Sequence, residues 1–362
     1  MNYTQVLRKF MEEFGPSGYE KDIAYSFKAE MEPIADHVSI DRMGNVIACF
    51  DGTDPDSPVV MAFAHLDQLG FIVRKIESDG YIQVDRLGGI PEKVLPGLNV
   101  RILTRKGTYV DGVFGNKSHH ASLPEDKYKV DLVTSLLIDV GARSEAEVEE
   151  LGISIGCAAT YKPYSQELQN GFISGTAIDN RGGLTALVVA ANHLRQRRPV
   201  SKVYLVGTVW EEFNLRGAML AARSCKPDIT ISLDVVLTGD TPDLKNRYNT
   251  ACGKGPAVLL YSFHGRGTLN GTLPHQGLVD LAHRAAKEEK IPLQRFAGLG
   301  ILTDTSYVQL EGQGMAAVEL GFPARYTHTP VEVADIQNIV QLGGLLAAML
   351  HRIDASFNLN RY

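Results

Sequence analysis

Apolar and polar residues follow two distinct patterns along the chain. After Gly175, stretches with apolar residues at helical spacing alternate with short, continuous apolar runs. This alternation predicts helices at 181–197, 215–224, 277–289 and 332–352, and strands at 202–209, 229–234 and 315–320, with a further short segment at 292–296. Continuous apolar runs are typical of strands buried on both faces, so this part of the chain favours an α/β fold with a largely parallel sheet.

The start of the chain continues this pattern. Helices are predicted at 3–14 and 20–32, with a break at Gly15-Pro-Ser-Gly18 between them. Residues 38–50 predict a hairpin, and the apolar run 59–64 predicts another strand buried on both faces.

Between residues 71 and 164 the chain consists of short segments in which apolar and polar residues alternate. Gly and Pro interrupt them about every ten residues, which is typical of a small β-barrel or sandwich. One helix is predicted at 144–151, where Ser144 can cap it. We therefore predict an α/β domain formed by residues 1–70 and 165–362, with a β-rich domain of residues 71–164 inserted into it.

Composition narrows the functional classes. The 362 residues carry a net charge of −6, so we expect neither nucleic acid nor a membrane surface as a partner. No apolar run approaches the roughly 20 residues that span a bilayer, and the N-terminus lacks a signal-peptide core. The four cysteines are widely spaced, which predicts free thiols and a cytoplasmic location. The glycine-rich segment 265–271 lacks the lysine and the spacing of a P-loop.

Histidine and carboxylate side chains recur close to the ends of the predicted strands. These candidates are His65, Asp67, Asp179, Glu211, Glu212, Asp234 and His328. Ligands of open α/β sheets gather beyond the carboxyl ends of the strands, so we expect these side chains to lie close together. Carboxylates in apolar surroundings need a cation or a proton-transfer role, and histidine with carboxylate is a typical metal-binding set.

The adjacent pair Glu211 and Glu212 is the most informative of these candidates. Neighbouring side chains at a strand end point in different directions, so one can bind a metal while the other accepts a proton from water. His65 and Asp67 have the two-residue spacing of side chains on one face of a strand. Asp67 is therefore suited to accept a hydrogen bond from the second ring nitrogen of a metal-binding His65.

Each candidate also has an ordinary structural interpretation when it is taken alone. Asp179 lies where a helix N-cap belongs, and Asp234 fits a buried salt bridge. Glu211 and Glu212 fit a solvated turn, and the histidines fit exposed loops. His119 and His120, in a polar loop of the inserted segment, are interpreted as solvated.

Taken together, the candidates resemble the dinuclear-metal aminopeptidases of the M42 family, which include tetrahedral and glutamyl aminopeptidases and proteins once labelled cellulase M. The motifs that carry the resemblance are His65-x-Asp67, Ala177-x-Asp179-x-Arg181, Glu211-Glu212, Ser232-x-Asp234 and Arg325-Tyr-x-His328. The likeness runs from Gly15 to the C-terminal helix. It implies a phosphorylase/hydrolase-like, three-layer catalytic domain with a mixed sheet and an inserted β-barrel.

The resemblance also implies a role for each residue. His65, Asp179 and Asp234 would bind one divalent metal ion, and Asp179, Glu212 and His328 a second, with Asp179 bridging them. Asp67 would orient His65. Glu211 would be the general base for a metal-bridged water that attacks the first peptide carbonyl and releases the N-terminal amino acid. Zinc is the first expectation for the two ions, with cobalt or manganese as alternatives.

The family further implies a homo-oligomer, commonly a tetrahedral dodecamer, to which the inserted domain contributes contacts. This chain departs from the family pattern at Gln68, where Glu is frequent, and at Trp210 and Phe213, whose bulk we expect to reshape the substrate pocket. Two other functions stay open at this point. One is a metal-binding protein that binds peptides without hydrolysing them, and the other is a glycan hydrolase of the endoglucanase type, which needs two carboxylic acids and no metal.

Overall fold

The structure, a computed structural model, describes residues 1–265 and 270–362, so residues 266–269 of the glycine-rich segment lie outside the described residues. The helices are α1 (Tyr3–Glu12), α2 (Lys21–Met31), α3 (Glu145–Glu150), α4 (Ile178–Gln196), α5 (Gly217–Cys225), α6 (Gln276–Glu288), α7 (Thr305–Val308) and α8 (Ile336–Leu350). Strands β1 to β9 are His37–Ile40, Val46–Phe50, Val60–His65, Gly70–Ile76, Ile82–Leu87, Asn99–Leu103, Tyr109–Phe114, Leu137–Asp139 and Ala158–Tyr161. Strands β10 to β18 are Ser165–Glu167, Phe172–Gly175, Val203–Thr208, Ile229–Leu237, Ala257–His264, Asn270–Thr272, Gln294–Leu299, Ala316–Arg325 and Glu332–Asp335.

The large sheet has the strand order β1-β2-β12-β3-β13-β17-β18-β11-β10, and β14 pairs with β15, β16 and β17. Its centre, β12-β3-β13-β17, is parallel. The strands outside this centre pair mostly antiparallel, as β1 does with β2 and β17 with β18, whereas β14 and β16 pair parallel. The sheet is therefore mixed, as the family resemblance implies, and the largely parallel sheet predicted from the apolar runs is wrong at both edges.

Side chains of β3 show why helices cover both faces of the sheet. Val60, Ala62 and Ala64 belong to the apolar core that includes α4 and α8. Met61 and Phe63 belong to a second core that includes α5 and one residue of α7. Because successive strand residues point to opposite faces, the fully buried β3 joins two helical layers. The predicted three-layer α/β fold is confirmed.

A closed barrel is formed by β4, β5, β8, β7, β6 and β9 in that order. Its interior is filled by alternate apolar residues, among them Phe71, Ile102 and Phe114. The rings of Phe71 and Phe114 pack edge to face, with centroids 5.0 Å apart. The inserted β-barrel that the resemblance implies is therefore present, while the exact division of domains at residues 70 and 165 stays a prediction.

The predicted helix 332–352 is wrong at its start. Residues Glu332–Asp335 form strand β18, which pairs antiparallel with both β17 and β11. The helix α8 begins only at Ile336, because the Asp335 side chain accepts a hydrogen bond from the Gln337 amide and caps it. Residues 332–335 read Glu-Val-Ala-Asp, a segment too short and too irregular to be told from the helical pattern that follows it.

The remaining predictions differ from the structure mostly at element ends. The helix predicted at 181–197 begins at Ile178, and the strand predicted at 315–320 extends to Arg325. Strand β14, at Ala257–His264, was not predicted. Ser144 caps α3 as expected, by accepting a hydrogen bond from the Glu147 amide.

Two predictions from composition can be compared with the structure. All four cysteines are free and buried, as expected. Within residues 1–265 and 270–362, no helix combines the length and the apolar character that crossing a membrane requires.

Candidate metal centre

The candidate residues meet at the carboxyl end of the parallel strands. His65 ends β3, Asp234 lies near the end of β13, Glu211 and Glu212 follow β12, His328 follows β17, and Asp179 lies in the first turn of α4. The register of β12 against β3 places Thr208 opposite His65, so the chain that leaves β12 carries the two glutamates over this histidine. The sheet topology therefore brings together residues that are far apart in sequence.

Two groups of three side chains have the spacing of metal ligands. His65, Asp179 and Asp234 form one, and Asp179, Glu212 and His328 form the other, with the ligand atoms of each group within 4.8 Å of one another. Asp179 belongs to both. Its Oδ1 lies 3.1 Å from His65 Nε2, and its Oδ2 lies 3.7 Å from His328 Nε2. One carboxylate thus faces both groups with different oxygens.

Burial and crowding shift the protonation of these acids. Burial first, and then the neighbouring charge of Asp179, raise the pKa of Asp234 well above its ordinary range. The same two causes raise the pKa of Glu212 to about 7. Burial by itself lowers the pKa of a histidine, yet the hydrogen bond to Asp179 and the surrounding carboxylates raise the pKa of His65 well above its usual value.

These shifts show that the site concentrates negative charge out of water without a permanent positive side chain among the candidate ligands. A divalent cation would relieve the repulsion and would receive imidazole and carboxylate ligands, a set that suits zinc, cobalt and manganese. The donor chemistry and the spacing therefore fit a pair of metal ions.

Glu211 differs from its neighbour because it belongs to neither ligand group. Its Oε2 lies 4.0 Å from His65 Nε2, and only 11% of its side chain is exposed. Burial is the largest cause that raises the pKa of Glu211 well above its ordinary value, and the charges of Asp234 and Glu212 add to it. An acid that belongs to neither ligand group and lies beside them is placed to exchange a proton with a neighbouring water.

Asp67 fixes the backbone of the glutamate pair. Its Oδ1 accepts a hydrogen bond from the Glu211 amide and its Oδ2 from the Glu212 amide, each at 3.0 Å. Ser17 donates a third hydrogen bond to Oδ2 at 2.6 Å. The expected contact with His65 is different in kind: the Asp67 carbonyl oxygen lies 3.0 Å from His65 Nδ1, whereas the carboxylate is 3.7 Å away.

Glu332 is a second fixing carboxylate, and the sequence analysis missed it. It lies in β18 and is 2% exposed. Its Oε2 accepts a hydrogen bond from the Asp179 amide at 2.9 Å, and its Oε1 accepts one from the His328 amide at 2.7 Å. One side chain therefore fixes the backbone of two residues in the second ligand group. The sequence Glu332-Val-Ala-Asp335 carries no alternating pattern that could have revealed it.

Asp304 is a further buried acid that sequence reasoning did not identify. It precedes α7, is 3% exposed, and its Oδ2 accepts a hydrogen bond from Thr208 Oγ1 at 3.3 Å. Burial, and next in the same direction the charge of Asp67, raise the pKa of Asp304 to about 7. Its charge also raises the pKa of Glu211, so Asp304 belongs to the electrostatic environment of the site.

Gln68 joins the barrel to the helix that carries Asp179. Its Nε2 donates a hydrogen bond to Thr160 Oγ1 of β9 at 2.7 Å, and its Oε1 accepts one from Arg181 Nη2 of α4 at 2.8 Å. An amide can donate and accept at once, whereas an ionised glutamate can only accept. Gln68 thus acts as a donor and as an acceptor. It provides a partner for Arg181, whose pKa burial lowers to about 10.

The barrel also forms part of the wall of the site. His328 Nδ1 lies 2.8 Å from the carbonyl oxygen of Gly89, in the chain that follows β5. A Cβ atom at Gly89 would come within 3.3 Å of the same nitrogen, so the absence of a side chain permits this close approach. The contact leaves His328 Nε2 directed toward the second ligand group.

Backbone conformations that ordinary residues rarely adopt are concentrated around the site. Ala177, Trp210 and His328 have positive φ values of 58°, 60° and 67°. Strain of this kind persists where the surrounding structure imposes it, and it is frequent at functional sites. Here it occurs two residues before Asp179, next to Glu211 and at His328 itself.

A cleft of ≈ 1000 Å³ opens above the two ligand groups. Its lining includes His65, Asp179, Asp234, Glu212 and His328 together with Glu211. Asn214 and Leu215 also line it, but Trp210 and Phe213 do not. The rings of Trp210 and Phe213 pack edge to face against each other, with centroids 6.5 Å apart, and the effect of their bulk on the substrate pocket stays a prediction.

Comparisons with known proteins agree with this arrangement. The sequence profile described as M42 glutamyl aminopeptidase matches residues 44–345. The chain is 32% identical to a lysyl aminopeptidase from Pyrococcus furiosus, over 96% of this chain and 97% of the relative. An aminopeptidase structure from the archaeon Desulfurococcus kamchatkensis has a TM-score of 0.91 at 32% identity, over 98% of this chain and 95% of that one. The TET1 peptidase of Pyrococcus horikoshii, described as able to assemble into a tetrahedron or a large octahedral shell, has a TM-score of 0.86 at 27% identity, over 97% of this chain and 100% of that one.

Replacement of Glu332 tests its role in fixing the ligands. In Glu332→Gln, one of the two backbone N–H groups faces an NH₂ donor instead of an acceptor, so Asp179 or His328 loses its fixed position. We expect zinc affinity, measured by competition with a fluorescent chelator, to fall about 10- to 100-fold. Glu311→Gln, which removes only a surface ion pair with Arg223, is the matched control. Equal affinities in the two variants would contradict this role.

Proposed function

Because the chain belongs to the M42 family of glutamyl aminopeptidases, we propose that its two ligand groups hold two divalent metal ions during peptide hydrolysis. The protein is a metal-dependent aminopeptidase, an enzyme that releases amino acids from the N-termini of peptides. The observation that carries the proposal is the position of Asp179, whose two oxygens face the two groups.

The proposed assignment follows the two groups. His65, Asp179 and Asp234 hold one ion, and Asp179, Glu212 and His328 hold the other, with zinc the first expectation and cobalt or manganese the alternatives. Two such ions, when bound, supply positive charge that polarises a peptide carbonyl and makes water more acidic. Asp67 fixes the backbone of both glutamates. The side chains of Glu212, the proposed ligand, and Glu211, its neighbour, therefore keep different directions.

Glu211 is the proposed general base. It accepts a proton from the attacking water at its carboxylate and later gives that proton to the amine that leaves with the shortened peptide. Three features support the assignment: Glu211 lines the cleft, it belongs to neither ligand group, and burial raises its pKa above the ordinary value of a glutamate.

The alternative functions find less support. A glycan hydrolase works with two carboxylic acids, and the two histidines that share Asp179 have no role in that chemistry. A peptide-binding protein with a structural metal needs no buried acid beside the ligands, yet Glu211 is there. The family match also favours peptide hydrolysis.

Hydrolysis of aminoacyl-p-nitroanilides tests the proposal. Protein reconstituted with zinc, cobalt or manganese should release nitroaniline from free-amine substrates, and EDTA or N-acetylation of the substrate should abolish release. Glu211→Gln should bind metal normally and lose about 10²- to 10⁴-fold in kcat, because the base is lost while the ligands remain. Glu311→Gln is the surface control. Full turnover in Glu211→Gln would remove Glu211 from the mechanism.

The protein is also proposed to form a homo-oligomer, as the described assembly of the TET1 peptidase suggests, and a tetrahedral dodecamer is the expected form. The barrel segment presents apolar side chains to solvent in support of this. Tyr128 is 93% exposed, and Leu123, Val130 and Leu132 are more than half exposed. We propose that residues 71–164, as an inserted domain, provide contacts between copies, and that the enzyme acts in the cytoplasm, where its buried thiols stay reduced.

Sedimentation velocity tests the assembly. The wild-type protein should sediment as a multi-subunit particle, and Tyr128→Ser combined with Leu132→Ser should shift it toward smaller species, because burial of these side chains between copies is lost. Tyr25→Ser, at an exposed tyrosine of α2, is the control. A wild-type protein that sediments only as a monomer would reject the proposed assembly.

A further inference from the structure

Seven aliphatic side chains line the cleft beyond the ligand groups. Ile90 and Pro91 come from the chain after β5, Val235 and Leu237 from β13, and Leu215, Ile301 and Leu302 from loops. A peptide whose first carbonyl lies near Glu211 has its first side chain one carbon away from that carbonyl. This side chain therefore lies against the wall that these residues form.

Within the part of the chain that the structure describes, the cleft wall offers a cationic first side chain no free carboxylate. Within residues 1–265 and 270–362, the carboxylates of the cleft lining are Asp179, Glu211, Glu212 and Asp234. Under the proposed function, three of them bind cations and Glu211 carries the transferred proton. The side-chain ammonium of an N-terminal lysine would lose its hydration without gaining a carboxylate partner, and this costs binding energy.

The described lining also offers few cationic partners to an anionic first side chain. Arg86 is the arginine of the described lining, and its Nη1 already lies 3.2 Å from Glu92 Oε1, with 43% of its side chain exposed at the rim. The side chain of an N-terminal glutamate in the substrate would have to displace Glu92 from Arg86 or pair with His264. His264 is the remaining basic side chain of the described lining outside the ligand groups. Within the described lining, Arg86 is already paired, and His264, whose Nδ1 is buried without a hydrogen-bond partner, offers an imidazole and not a permanent cation.

We infer that the enzyme prefers an aliphatic N-terminal residue such as leucine over both lysine and glutamate. The inference rests on the proposed function, because it uses the same cleft and the same placement of the peptide carbonyl. Burial of a leucine side chain against aliphatic residues is favourable, whereas a charged side chain loses hydration without gaining a partner. We expect a preference of about 10- to 100-fold in kcat/KM.

Kinetic measurements on the wild-type enzyme are sufficient to test this substrate preference. Its kcat/KM is measured at pH 8 with the p-nitroanilides of leucine, alanine, lysine and glutamate, after reconstitution with zinc or manganese. Leucine should exceed lysine and glutamate by about 10- to 100-fold, and alanine by about tenfold. Lysine or glutamate equal to or above leucine would overturn the inference and leave the proposed function intact. Hydrolysis of none of the four would overturn the proposed function and this inference with it.

A charge placed in the wall should change the preference. Leu302→Glu adds a carboxylate to the cleft lining, so the lysine-to-leucine ratio of kcat/KM should rise at least about tenfold. Leu310→Glu makes the same exchange at a side chain that is 67% exposed and lies outside the lining, and its ratio should stay at the wild-type value. Equal ratios in two folded variants would show that Leu302 does not contact the first side chain and would overturn the assignment of this wall.

Discussion

The structure depends on how four carboxylates are accommodated at one buried edge of the sheet. Asp179, Asp234, Glu211 and Glu212 share a small volume in which burial raises their cost of ionisation, and their charges repel one another. Two histidines lie among them and reduce the repulsion only in part. Bound cations would resolve this conflict, and the same concentration of acids would then become the source of metal affinity.

Hydrogen bonds from outside the ligand set keep these residues in place. Asp67 fixes the two glutamates through their amides, and Glu332 fixes Asp179 and His328 in the same way. Each carboxylate acts on the backbone, so the side chains of the ligands stay free to bind. The arrangement explains how a loop residue with positive φ, such as His328, holds a defined position.

The barrel and the α/β layers contribute different parts of the function. The parallel strands carry the proposed metal site at their carboxyl ends, whereas the barrel supplies the Gly89 carbonyl that contacts His328 and part of the aliphatic wall. Gln68 joins the two by donating to the barrel and accepting from Arg181. A departure from the family pattern that looked like a loss of charge thus has a structural use in this chain.

Residues that follow strong strand patterns could be predicted from the sequence, and residues fixed by tertiary contacts could not. His65, Glu211, Glu212 and Asp234 stand out because each lies at or just beyond a continuous apolar run. Glu332 was hidden because its four-residue strand precedes a long helix and the longer periodicity dominated. Asp304 lies in a loop whose burial depends on distant strands, and no local pattern encodes that. The pairing of ligands came from family resemblance, since spacing along the chain does not specify which oxygen faces which histidine.

The most direct test of the shared ligand is the metal content of Asp179→Asn. The account predicts two zinc ions per chain in the reconstituted wild-type protein, measured by elemental analysis after removal of free metal. Asp179→Asn should lose both ions, because its carboxylate belongs to both groups, whereas His328→Ala should keep one. Asp126→Asn, at an exposed ion pair with Lys129, should keep two. An Asp179→Asn protein that still binds two ions would contradict the account.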